Sequence, residues 1–195
     1  MYKPKFTKLQ FNKLPKNQQR IELAKDVLVR IEINNLKPIE GSYILFGFPA
    51  RIKNKLIKNV INEGSCEVCS RGALFCSYLG IIGGRKKLSD FESFREGEIT
   101  EIYFNSRHKE EELTLELFTE QELAIMEIIL EGEPSGSLSR SQLNTKYKNK
   151  ALALYDLFTD HFSEEQIPTE VITFIMKNII RNGGSFNIFD DKEII

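Results

Sequence analysis

Apolar residues recur every three or four positions along most of this 195-residue chain, a spacing that predicts a mainly α-helical protein. Ile21, Ala24, Leu28 and Ile31 mark one apolar face of a helix from about Asn17 to Asn34, ended by Asn34, Asn35 and Pro38. "ARIKNKLIKNVINEG" reads as the next helix. Ile52, Leu56, Val60 and Ile61 form its inner face, and Gly64 caps its end. Arg51, Lys55 and Lys58 stack at i, i+4 and i+7 on the opposite face. A further helix over about 66–79 is closed by Gly80 or by Gly83 and Gly84. Ser89 with Glu92, and Thr119 with Glu122, have capping-box spacing, a helix-start signature. The second box opens "LAIMEIIL", apolar nearly all round and therefore expected at the centre. Ala151, Leu154, Tyr155, Phe158 and Phe162 mark another helix. Pro168 and Thr169 open the last, with Val171, Ile172, Ile175, Met176, Ile179 and Ile180 inside and Asn182-Gly183-Gly184 at its end.

Two stretches depart from helical spacing. "SYILFGF" (42–48), bounded by Gly41 and Pro49, is a strand or a buried extended link. "ITEIYF" and "LTLELF", within 99–118, alternate as a hairpin around "NSRHKEEE" would, although two helical pieces also fit. "GEPSGSLSRS" (132–141) is a loop, and too few residues follow it to build a second core. The expected organisation is a basic N-terminal arm (1–16), one compact helical domain of about six or seven helices (17–186), at most a small β-hairpin, and an acidic C-terminal tail (187–195). The arm, punctuated by Pro4 and Pro15, is expected to stay extended until Phe6, Leu9, Phe11 and Leu14 anchor it.

Charge changes the picture. The net of −1 hides a polarity along the chain. Residues 1–60 carry 13 Lys and Arg against 4 Asp and Glu, a net of +9. Residues 61–135 carry 7 against 16, a net of −9, and residues 136–195 carry 7 against 8, a net of −1. Such polarity suits an anionic partner for the first third, unless the basic and acidic thirds face each other within the fold. With 41% apolar and 28% charged residues, the composition is that of a soluble globular protein. No run of roughly 18 apolar residues suggests a membrane span. The start lacks a signal-peptide core, and the odd count of three cysteines points to a reducing, cytoplasmic setting.

The cysteines are the first candidate for chemistry. Cys66 and Cys69 have the spacing of a zinc knuckle, and Cys76 follows, but a fourth ligand must come from distant His108 or His161. A redox role needs a strand and a βαβ context that the pattern does not offer. Placed on a helix, Cys66, Cys69, Ala73, Cys76 and Gly80 share one face of small residues. A close-packing seam explains them better than ligation, with Glu67 and Arg71 pairing on the exposed side. The expectation is no metal and no cofactor. No G-x-S-x-G, H-E-x-x-H or P-loop occurs. "GIIG" (80–83) has isoleucines where a nucleic-acid clamp favours polar residues, and Asp156, Asp160 and His161 read as a solvated face. No catalytic residue is assigned.

"CEVCSRGALF" (66–75), "FTEQELAIMEIILE" (118–131) and "FIMKNIIRNGGSF" (174–186) resemble, in that order, blocks of an uncharacterised group of bacterial and phage-type hypothetical proteins. That resemblance implies a mostly helical fold and an origin on a mobile element; it carries no catalytic residues. Arg71 stands where the group's pattern has a small or apolar residue. The expectation is a non-enzymatic binding protein, such as a phage-type inhibitor or accessory factor, contacting nucleic acid or a nucleoprotein complex. Arg51, Lys55, Lys58, Arg85, Lys86 and Lys87 are the predicted contacts. The alternative is a protein–protein module, a helical homodimer with no nucleic-acid role.

Overall fold

The computed structural model describes residues 2–41, 44–46, 55–64, 66–83, 87, 100–102, 116–133 and 143–189. Among these stand seven helices: α1 (Lys8–Asn12), α2 (Lys16–Glu32), α3 (Ile57–Glu63), α4 (Ser70–Ile82), α5 (Glu120–Glu131), α6 (Thr145–His161) and α7 (Ile167–Arg181). Four three-residue strands join them: β1 (Leu36–Pro38), β2 (Ile44–Phe46), β3 (Cys66–Val68) and β4 (Thr100–Ile102). The protein is mainly α.

α4 is buried along its whole length and packs against α2, α3 and α5. α2 also packs on α7, and α6 lies on the far side against α5 and α7. At the start of α5 the Thr119 hydroxyl accepts from the Glu122 amide, and the Glu122 carboxylate accepts from the Thr119 amide. Two of the four otherwise unpaired amides at the helix start are thus satisfied before the apolar run Leu123–Leu130 enters the core. Thr119→Ala is expected to cost ~1 kcal/mol of stability in urea unfolding. α7 ends in Gly183 and Gly184 at positive φ. A Cβ on Gly184 would overlap the backbone of Asn17, so this close approach to α2 requires glycine.

The sheet has the order β1-β3-β2-β4. β3 runs parallel to β1 (Leu36 opposite Cys66) and antiparallel to β2 (Ile44 opposite Val68), and β2 pairs antiparallel with β4 (Ile44 opposite Ile102). "ITEIYF" therefore supplies a strand, but its described partner is β2. Residues 103–115 lie outside the described residues, and Glu116 and Leu117, near the end of "LTLELF", are helical rather than extended.

The cysteine segment corrects the sequence reading. It is a strand and then a helix, so the three cysteines do not share a helical face. Cys66 lies in β3, Cys69 is the extended N-cap of α4 with its sulfur accepting from the Gly72 amide, and Cys76 lies inside α4. Pairing on both edges of β3 supplies backbone partners that helical spacing alone does not anticipate. All three thiols are free and buried. The seam that survives is Ala73, Cys76 and Gly80. It admits a buried arginine: a Cβ at Gly80 would overlap the Arg30 guanidinium. Arg71 is not exposed. It is buried and paired with Glu127 at 2.9 Å rather than with Glu67.

α2 occurs where expected, with its inner face turned. Leu23, Ala24 and Val27 are buried with Glu22, Asp26 and Arg30, while Leu28 and Ile31 are only partly covered. The arm docks through Phe11, fully buried on α1, with Phe6 and Leu14 against the core; Leu9 points outward at 69% exposure. No described helix is long and apolar enough to cross a membrane.

Candidate functional site

Arg51, Arg85 and Lys86, like the Ser89–Glu92 box, lie outside the described residues. α3 begins at Ile57, so Lys55 precedes the helix and does not stack on Lys58. Lys55 is exposed, 4.0 Å from Glu63. Lys58 is half-buried, its Cβ lying against Gly83 at the end of α4. Lys87 is exposed and forms an antiparallel bridge with Leu56, the N-cap of α3. That bridge returns the chain after α4 to the start of α3, so Lys55, Lys58 and Lys87 are brought together.

Further lysines, which the sequence reading did not single out, line two grooves that reach the last turn of α4. Ile82 lines a groove of about 320 Å³ with Lys8 and Asn12 of α1 and Lys16 and Gln19 of α2. Ile81 lines a neighbouring cavity with Lys5 and Lys25. Ile81, Ile82 and Gly83 form the last turn of α4, so lysines from the arm, α2, α3 and the segment after α4 line the grooves beside that helix end, together with Glu22, Asp26 and Glu116. The partial negative charge of a helix C-terminus favours such a collar.

The two arginines of the described basic third turn inward instead. Arg20 pairs with Glu122 at 3.1 Å. With Lys55–Glu63, this contact joins the basic and acidic thirds. Arg30 is fully buried. Its Nε donates to Asp26, Nη1 to Asn35 and Nη2 to Asn62. Tyr2 of the arm lies over the guanidinium at 4.2 Å and donates its hydroxyl to Asp26, while its amide donates to the Asn62 carbonyl. Ser77 of α4 also donates to Asp26. Burial, with the bond to Asp26, holds the Tyr2 phenol above its ordinary pKa and so protonated. This network fixes the arm, α2, α3 and α4 relative to one another and thereby holds the lysine collar in place.

The other end of α4 is acidic. Beside the Arg71–Glu127 pair, Glu131 accepts from the Gly41 amide at 3.4 Å. Burial, then the neighbouring Glu127, pushes the Glu131 carboxyl up to about 7. Burial likewise raises the Cys69 thiol to about 12, which keeps it protonated at neutral pH in this fold. Among the described residues no group of three or more His, Cys, Asp or Glu is placed to hold a metal ion. A carboxyl raised on folding stabilises the fold fully below its unfolded value of 4.5, and that contribution is lost as pH rises through about 7. Glu131→Gln keeps an acceptor for Gly41 without the charge. It is expected to add ~1 kcal/mol at pH 8, after discounting for solvent screening, and to flatten the stability–pH curve between pH 5 and 8 in urea titrations.

No protein family, curated protein or solved structure matches this chain.

Proposed function

We propose that the protein is a binding protein rather than an enzyme, and that its lysine collar contacts the phosphates of nucleic acid or of a nucleoprotein complex. The observation that carries this reading is the gathering of Lys5, Lys8, Lys16, Lys25, Lys58 and Lys87 around one helix end from four separate stretches of chain. Lysine is a mobile point charge suited to phosphate contact without base recognition. With the arginines turned inward, the cations of the collar are ammonium groups, two of which, Lys5 and Lys25, share Glu22. Lysines favour sequence-independent binding.

Fluorescence anisotropy with a labelled duplex and a labelled single strand tests this. For four phosphate contacts, affinity falls by on the order of a hundredfold between roughly 50 and 200 mM salt. The K8E/K16E/K58E/K87E variant loses that binding, whereas K148E/K150E on α6, which packs on the far side, keeps it. Affinity that ignores salt, or that survives the collar reversal, contradicts the reading.

A second reading, a protein–protein module, rests on Val29 and Ile33. They are 42% and 50% exposed and one helical turn apart along α2 and its cap. Light scattering that gives a dimer, separated to monomer by Val29→Glu, supports it.

A further inference from the structure

We propose that the cavity between the arm and α2 binds a small apolar monocarboxylate. The cavity is a groove, partly open to solvent, of about 400 Å³, within the range of small-ligand sites. Its walls are Tyr2 and Phe6 of the arm, Leu28 and Val29 of α2, and Ile81 of α4. These walls take an apolar body.

The polar groups at its edge decide the ligand's charge. Asp26 already accepts from Tyr2, Arg30 and Ser77. Glu22 already accepts from Gln18 at 2.8 Å, Lys25 at 3.0 Å and Lys5 at 3.3 Å. Both carboxylates are thus occupied by donors, and neither invites a cation. The lysines stand in the opposite position. Two ammonium groups, each with three donors, share the single carboxylate of Glu22, and both remain largely exposed at 71% and 48%. Lys5, Lys25 and Glu22 together leave one positive charge at the mouth, and Arg30 cancels Asp26 beneath it. An apolar chain against Phe6, Leu28, Val29 and Ile81, with its carboxylate between Lys5 and Lys25, satisfies both the walls and that charge. An alkylammonium of the same length meets like charge at the mouth.

Isothermal titration of the full chain with sodium octanoate and with octylammonium chloride tests the proposal. Octanoate is expected to bind saturably at one site, and octylammonium at least about tenfold more weakly. Val29→Trp fills the cavity from a half-exposed position, so the fold is retained while octanoate binding falls by about tenfold or more. Lys25→Glu reverses the order of the two ligands. Equal binding of octanoate and octylammonium, or octanoate binding unchanged by Val29→Trp in a variant with native circular dichroism, overturns it.

Discussion

Arg30→Ala is expected to lower stability by about 3–5 kcal/mol, because it leaves Asp26 buried without its counter-charge. The guanidinium is fully buried and its three nitrogens have separate partners on α2, the turn after it and α3. Removing it leaves Asn35 and Asn62 each short of a donor and leaves an empty space beside Gly80 and beneath the Tyr2 ring. Asp26→Ala is expected to cost a similar amount, with Arg30 then the uncompensated charge. The double variant costs clearly less than the sum, since each single change includes the penalty of stranding its partner. Urea unfolding of the four proteins measures the cycle; strict additivity would show that the two groups do not act as a pair. Tyr2→Phe, which keeps the ring over Arg30 and removes only the hydroxyl bond to Asp26, is the mild control.

Glu127→Ala is expected to have an effect of the same size, about 3–5 kcal/mol, at the opposite end of α4. Arg71 and Glu127 are 3% and 1% exposed, and their 2.9 Å contact joins α4 to α5 in the core. Here a second readout accompanies stability. Glu127 is a cause of the raised Glu131 carboxyl, second only to burial, while Arg71 opposes it. Without Glu127, Glu131 becomes the nearby counter-charge for Arg71, and its titration moves down from about 7 toward the ordinary carboxylate range. Carbon-detected NMR of the side-chain carboxyl follows that shift. A lowered stability with an unmoved Glu131 titration means that the Arg71–Glu127 pair and Glu131 are electrostatically separate.

The elements with local signals were legible in the sequence. The Thr119–Glu122 box is formed, "LAIMEIIL" is the central run of α5, and α7 ends at its glycines as the pattern says. What was not legible depends on partners distant along the chain. Asp26 and Arg30, four apart on α2, look like an ordinary surface pair. Only Asn62 from α3, Ser77 from α4 and Tyr2 from the arm make their burial tolerable, and with it the inner face of α2 turns. Cys66-Glu67-Val68 matches helical spacing as well as it matches a strand, and pairing with β1 and β2 decides it. β1, three residues ending in proline, is too short to carry a period. The basic character of the first third was visible as a sum. Its gathering at one helix end was not, because it depends on the Tyr2–Asn62 contact and the Leu56–Lys87 bridge.

The most direct test of the lysine collar is acetylation footprinting, read by mass spectrometry with and without a saturating oligonucleotide. Lys8, Lys16, Lys58 and Lys87 are expected to be protected together, and Lys146, Lys148 and Lys150 of α6 to be modified equally in both samples. Protection on α6 with the collar unchanged, or no protection anywhere at saturation, contradicts the account.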